Sequence, residues 1–340
     1  MVLCAKAKLS DAQRVKRELV EHHAGLDGWR SVKDATHIYY PVAKKFPTAH
    51  ATFVEHDARA VPNKGDLKER LRGALTDEEL SRLAKSYDLV GTIAIIEIDP
   101  SLEAKERVIA AAVLEKNPAV TTVVKKGGGH EGELRLQRTV FLAGEETRET
   151  IVTENGVRLR VNVDEVYYSV RTASERLRVA EQVRAGERVL VMFSGVAPYC
   201  VVIAKRTKAA EVVGIELNEK GHALGVENVR LNKLKNVVLI NDDVRHAAPV
   251  LAERGISFDR IVMPLPHTGS DFLDEAFAVS HPGTMIHLYD FEKEGEFDQA
   301  AAKAEAGAQR NKRQIKILRV VACGQHSPRL YRVCADFEVL

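Results

Sequence analysis

Two apolar runs, Val189–Phe193 and Val212–Glu216, frame the residues best suited to chemistry. The first stops at a turn of small residues, Ser194, Gly195, Val196, Ala197 and Pro198, and the second ends on the acid Glu216. A helix-like stretch lies between them, so the order is strand, tight turn, helix, strand, acid. Small turn residues let a nucleoside approach the end of the first strand, and an acid closing the second can accept hydrogen bonds from two ribose hydroxyls. The turn lacks the three-glycine dinucleotide fingerprint, so a mononucleoside-type ligand such as S-adenosylmethionine fits better than NAD. Any buried βαβ unit that happens to end in an acid shares this pattern, so the segment alone does not decide a function.

The elements that would position this turn form an α/β unit from about Val166 to the C-terminus. Its expected strands are Val189–Phe193, Val212–Glu216, Asn236–Asn241, Arg260–Pro264, Thr284–Tyr289, Ile315–Ala322 and Tyr331–Val339. Helical stretches separate the first five, which predicts a doubly wound sheet ending in an antiparallel hairpin. Two small α+β units precede it. The first spans residues 1–55, with strands over Val2–Lys8 and His37–Val42 and a helix through Arg14, Val15, Glu18 and Leu19. Pro47–Gly65, with weak periodicity and two prolines, reads as a linker. The second spans 66–165, with a capping box at Thr76 and Glu79, one strand over Asp88–Asp99, a helix over Glu103–Glu115 and a strand over Val120–Lys125. Gly127, Gly128 and Gly129 mark a loop, and Arg135–Leu142, Glu149–Glu154 and Val157–Val163 alternate as antiparallel strands.

A chain of 340 residues can bury two or three cores. With 45% hydrophobic and 29% charged residues it has the balance of a soluble globular protein, and a net charge of +2 excludes a supercharged nucleic-acid binder. Positive charge for a nucleic acid must therefore be local. Lys6 with Lys8, Lys44–Lys45, Lys125–Lys126, Arg184 with Arg188, Lys205 with Arg206 and Lys208, and Lys312–Arg313 are the clusters. Lys125 and Lys126, before the glycines, are the candidate phosphate-contacting pair. Cys4, Cys200, Cys323 and Cys334 form no CxxC pair and read as reduced thiols in a cytoplasmic protein. No stretch reaches membrane-spanning length without charges, and the charged N-terminus is not a signal peptide. No residue pattern specifies a metal site, and a need for Mg2+ is not readable from the residues.

The order and wording of several segments resemble the archaeal and eukaryotic-type tRNA guanine-37 N1-methyltransferases, a class I S-adenosylmethionine-dependent family. The segments are SYDLVGTIAIIEID (Ser86–Asp99), GELRLQR (Gly132–Arg138), ENGVRLRVNVDEVYYSVRTASER (Glu154–Arg176), FSGVAPY (Phe193–Tyr199), GIELN (Gly214–Asn218), NVRLNKL (Asn228–Leu234), NDDVR (Asn241–Arg245), MPLP (Met263–Pro266) and HSPRLY (His326–Tyr331). The resemblance is specific from Ser86 onward. Over the first 55 residues it amounts to a small domain in the right place.

The resemblance implies that a monomer binds tRNA, with the first domain at the outer corner and the second gripping the anticodon arm. It implies that Glu175, Arg135 and Tyr167 stand at the active-site positions. N1 of guanine carries a proton, so Glu175 would remove it as general base. Arg135 would stabilise the charge that moves to O6. Tyr167 would support the base once it leaves the loop stack. Phe193, Gly195 and Ala197 would surround the methionine part of the cofactor, Glu216 would hold the ribose and Asp243 the adenine amino group, with adjacent Asp242 as a competitor. Pro264 and Pro266, closing the fourth strand, would face the target base. Three departures accompany the match: Val191 where the family has Asp, Gly195-Val196-Ala197 where it has GxG-like spacing, and Pro264 where it has Asn. Two alternatives stand beside the methyl-transfer reading. One is the wybutosine-pathway sister enzyme, which transfers a 3-amino-3-carboxypropyl group to a tricyclic guanine derivative, and the other is a tRNA-binding protein that has lost catalysis.

Overall fold

The structure, a computed structural model, describes all 340 residues except 27, 59–65, 85, 129–131 and 133–135. Chain contacts divide it into two compact units, Met1–Arg70 and Leu71–Leu340.

In the first unit, four strands lie in the order Val32–Lys33, His37–Pro41, Val2–Lys8, Ala51–His56. The helix Ala12–Glu21 lays Val15 and Leu19 on Ala5, Ala7, Ile38, Val42 and Phe46. The segment expected to be a linker therefore opens with a strand. Ala51–His56 pairs antiparallel with Val2–Lys8, with Phe53 opposite Ala5. Thr52, Phe53 and Val54 favour a pleated surface, and six residues are too few for periodicity to reveal it.

The second unit begins with a sheet in the order Asp88–Val90, Ile93–Ile96, Thr122–Lys126, Thr139–Gly144. The helix Glu106–Lys116 supplies the crossover between its parallel middle strands. The single strand expected over Asp88–Asp99 is instead a hairpin. It turns at Gly91, whose φ of +56° favours glycine, and a Cβ there would lie 2.2 Å from Thr150 Oγ1. That hydroxyl oxygen accepts the Thr92 amide at 2.9 Å. The capping box at Thr76 and Glu79 forms as read.

The large sheet consists of β1 (Arg188–Val191), β2 (Glu211–Glu216), β3 (Val237–Asn241), β4 (Phe258–Met263), β5 (Ser280–Lys293), β6 (Ile315–Ser327) and β7 (Leu330–Val339), in the order β3-β2-β1-β4-β5-β7-β6. All seven expected strands form. β1 to β5 are parallel, and β7 runs antiparallel to β5 and β6. Val189 and Val191 of β1 enter one core, Leu190 and Met192 the other. Both faces are covered, which is why the strand is apolar throughout. Helices α1 (Ala173–Ala180), α2 (Pro198–Arg206), α3 (Glu219–Leu231) and α4 (Val244–Glu253) accompany β1, β2 and β3. The strand order reverses between β1 and β4, so a crevice opens beyond their carboxyl ends, where ligands of open α/β sheets bind.

Asn228 on α3 and Asn232, which caps its C-terminus, fasten the ribbon Glu149–Glu154/Val157–Asn162 to this layer. Asn228 Oδ1 accepts the Arg160 amide at 2.6 Å and its Nδ2 donates to the Arg160 carbonyl at 3.0 Å. Asn232, one helical turn later, does the same for Arg158 at 2.9 and 2.6 Å. The side-chain amides act as the missing neighbour of an edge strand. Asn228 is fully buried and also donates to the Val196 carbonyl beside the ligand turn. Asn228→Ala leaves these backbone groups unsatisfied and is expected to cost about 2–3 kcal/mol. The check is the urea midpoint, and an unchanged midpoint would mean that water replaces the amide without loss.

Candidate active site

The turn after β1 is held in a high-energy backbone conformation. Phe193, Gly195 and Ala197 have φ of 56°, 57° and 61°. Two are not glycine, a pattern that concentrates at ligand sites. A Cβ on Gly195 would meet only the Tyr167 carbonyl, at 3.8 Å, so a ligand can approach this backbone closely. Glu216 at the end of β2 pins the turn. Its Oε2 accepts the Gly195 amide at 2.5 Å and its Oε1 the Asn218 amide at 2.8 Å. Burial pushes its carboxyl pKa up, against the pull of these amides. Each oxygen keeps acceptor capacity, which matches the two hydroxyls of a ribose.

The cleft above this turn encloses about 1300 Å³, its open mouth included. Phe193, Gly195, Glu216, Asp242 and Asp243 line it, and so do Tyr167, Pro264, Pro266, Tyr289 and Arg332. Phe193 packs edge-on against Phe272, with centroids 4.8 Å apart. Asp243 caps α4 through the Arg245 amide, and the Arg245 guanidinium grips it at 2.7–3.1 Å. Those bonds hold its carboxyl below the usual range. Asp242 accepts the Asp243 amide at 2.8 Å. The adjacent acid thus keeps more spare acceptor capacity toward an adenine amino group than Asp243 does.

Tyr167, whose backbone lies beside Gly195, is exposed, and its Oη accepts a hydrogen bond from Arg332 at 3.2 Å. Behind it, Arg176 is buried and ion-paired with Glu154, whose Oε2 also accepts the Tyr168 hydroxyl at 2.8 Å. Glu175 does not line the cleft. It is 5% exposed and lies one layer below. Arg178 grips both its oxygens at 2.6–2.9 Å, and the Tyr289 hydroxyl donates to Oε1 at 2.6 Å. Burial pushes the Tyr289 hydroxyl pKa up, so Tyr289 remains a proton donor to Glu175. Because Tyr289 lines the cleft, a base bound there is one side chain away from the carboxylate.

Comparison with known proteins gives the family. The TRM5/TYW2 methyltransferase domain matches residues 150–318 and the TYW2 N-terminal domain residues 67–147. A Pyrococcus abyssi protein named tRNA (guanine(37)-N(1))-methyltransferase Trm5b is 33% identical over 341 residues, covering 100% of this chain and 99% of its own. The chain belongs to the TRM5/TYW2 methyltransferase family. The crystal structure of Trm5b from Pyrococcus abyssi superposes with a TM-score of 0.73 at 32% identity, covering 100% of this chain and 99% of that one. A complex of aTrm5 with tRNALeu gives 0.71 at 25% identity, covering 99% and 100%. The doubly wound sheet expected from the strand pattern, and the class I methyltransferase fold that the resemblance implied, are the fold of these neighbours.

Not every expected site residue meets at the cleft. Arg135 lies outside the described residues. Lys125 and Lys126 belong to the strand Thr122–Lys126 rather than to a loop, and they do not line the cleft. Lys125 pairs with Glu106 at 2.5 Å and Glu103 at 3.4 Å, and Lys126 with Glu97 at 2.5 Å. Ala197 is buried as the N-terminal cap of α2, with its methyl facing Gly225. Val191, at the family's Asp position, is fully buried in the core.

Sequence reasoning missed Tyr289, Arg332 and the pair Arg176–Glu154. A tyrosine within an apolar strand reads as core, and the partners of these residues are far apart in the chain. Among the described residues, His287, Cys334 and Asp336 form the one cluster with metal-ligand spacing. Arg178 and Arg319 contact Asp336, and Arg260 contacts His287. Those guanidinium groups already supply the positive charge a cation would bring, so the cluster reads as a buried ion network.

Proposed function

We propose that this chain transfers a methyl group from S-adenosylmethionine to N1 of guanine 37 in the anticodon loop of tRNA. The observation that carries the reading is the cleft at the β1/β4 reversal. There a nucleoside-shaped turn with its ribose acid shares one cleft with Tyr167 and Tyr289, in a chain matched over its full length by a relative of that named activity. The residues present fit the cofactor: the open backbone at Gly195 and the two free lone-pair positions on Glu216 suit a nucleoside.

When bound, the cofactor supplies an electrophilic methyl group. The chain's own residues do the rest. Tyr167 offers a π-face to the extruded guanine. Glu175 is the base of our reading: the N1 proton would reach its carboxylate through the Tyr289 hydroxyl, which passes its own proton to Glu175 as it takes the one from the base, and the N1 electron pair so freed would take the methyl group that the cofactor would supply. Charge that builds on O6 needs a guanidinium in a dry site, the role we assign to Arg135. Pro264 cannot hydrogen-bond guanine through a side chain, so base readout falls to other groups of the cleft.

Further parts of the reading are equally proposals. They are a tRNA outer-corner role for residues 1–55, an anticodon-arm role for 66–165, a catalytic domain over 166–340, phosphate contacts by Lys125 and Lys126, a monomer, and a cytoplasmic location. No helix among the described residues is long and apolar enough to cross a membrane.

The aminocarboxypropyl transfer remains the second reading, favoured by the match to the TYW2 N-terminal domain and by Pro264. Glu175 speaks against it, because the tricyclic acceptor presents no N1 proton. Mass spectrometry of tRNA nucleosides after incubation with S-adenosylmethionine separates the outcomes. We expect 1-methylguanosine. An aminocarboxypropyl adduct on a tricyclic acceptor, or no product on either, would overturn the reading.

A further inference from the structure

Three guanidinium groups line the cleft, those of Arg176, Arg245 and Arg332. Arg176 is committed to Glu154 and Arg245 to Asp243. Among the described residues Arg332 pairs with no carboxylate. Its contacts are the Tyr167 Oη at 3.2 Å and the face of Phe291, 5.4 Å from the ring centroid. Its charge is uncompensated and most of its N–H donors are available. Around it stands a group of rings from three separate segments. Phe291 of β5 packs against His267, centroids 4.7 Å apart, and against His326, 4.2 Å apart. Phe291 is nearly buried, whereas both histidines are exposed. His267 follows Pro266 directly and holds φ at 86°, a strained value for a non-glycine residue that turns the chain beside the cleft.

We infer that Arg332, with the rings of Phe291, His267 and His326, forms a subsite for a nucleotide that neighbours the target base in the RNA strand. The guanidinium takes that nucleotide's phosphate and the rings its base. The inference rests on the tRNA reading above. An unpaired guanidinium calls for an anion, and a ring cluster calls for a flat π-surface. A nucleotide brings both at once. The hydrogen bond from Arg332 to Tyr167 couples this subsite to the aromatic that receives the target base, so one strand segment could occupy both. The methionine carboxylate of the cofactor is the other anion within the cleft, and the test separates the two.

The experiment measures full-length tRNA affinity over a salt series for the parent, Arg332→Ala, Arg332→Lys and His326→Ala, and S-adenosylhomocysteine affinity by calorimetry for each. Arg332→Ala is expected to weaken tRNA binding roughly tenfold or more. The slope of log affinity against log salt should become shallower by roughly one, the loss of one phosphate contact. Arg332→Lys should keep the slope, because a point charge still meets the phosphate. His326→Ala should weaken tRNA binding with the slope unchanged, since stacking releases no counterions. Cofactor affinity should stay at the parental value in all three. An unaltered slope in Arg332→Ala would overturn the phosphate contact, parental tRNA affinity in His326→Ala would overturn the base contact, and a loss of S-adenosylhomocysteine affinity would assign Arg332 to the cofactor instead. A parent enzyme that yields no 1-methylguanosine fails the functional reading itself, an outcome distinct from each of these.

Discussion

Glu175→Gln is expected to slow single-turnover methyl transfer by roughly 10²–10⁴-fold, with tRNA and cofactor affinities unchanged. The amide keeps the shape of the side chain but cannot take the guanine N1 proton. Misfolding is a poor alternative explanation for such a loss, because Arg178, the main partner of Glu175, retains Asp336 at 2.5 Å. A companion, Tyr289→Phe, removes the hydroxyl that donates to Glu175 Oε1 and leaves the ring on the cleft wall. It should slow the step as well, since the hydroxyl that joins the cleft to the carboxylate is gone. A Glu175→Gln enzyme that methylates guanine at the parental rate would falsify the assignment of the base, and the aminocarboxypropyl reading would then gain ground.

Glu216→Ala is expected to weaken S-adenosylhomocysteine binding by ~1.5–3 kcal/mol, the usual range for hydrogen bonds to a charged group. The carboxylate has two tasks here: it pins the Gly195 and Asn218 amides and offers its remaining lone pairs to the ribose. A thermal melt without ligand separates them, because loss of the turn contacts lowers the melting temperature even when no cofactor is present. Acidity adds a second readout. Burial raises the Glu216 pKa above its ordinary 4.5, and protonation turns an acceptor into a donor. In the parent, cofactor affinity should therefore be full at neutral pH and fall on acidification, beginning above the range of an exposed carboxyl. The variant should lose that acid limb. Equal affinities for parent and Glu216→Ala by calorimetry would show that the ribose is held elsewhere.

The catalytic sheet was readable from local patterns because its determinants are local. Strand β1 and the residue after it are apolar at Val189, Leu190, Val191 and Met192 whichever face each side chain enters. The small-residue turn and the acid ending β2 sit next to these runs in the chain, so the nucleoside half of the cleft could be placed before any contact was known. The short elements escaped for the opposite reason. Ala51–His56 and the hairpin about Gly91 are too brief to show a period, and their form depends on the strands they meet.

The acceptor half was decided by tertiary structure. Glu175 meets Tyr289 across 114 residues of sequence, Arg178 meets Asp336 across 158, and Tyr167 meets Arg332 across 165. Residue type and the family resemblance marked Glu175 and Tyr167. Neither could show that Glu175 lies beneath the cleft wall, gripped by a guanidinium, or that Lys125 and Lys126 pair with Glu103, Glu106 and Glu97. Equally, nothing in the run HSPRLYR distinguishes Arg332 from Arg329, because whether an arginine finds a carboxylate depends on which strands the sheet brings together. Local periodicity builds the platform, since it acts between residues a few positions apart. The state of each charge on that platform is set by neighbours supplied from the rest of the chain.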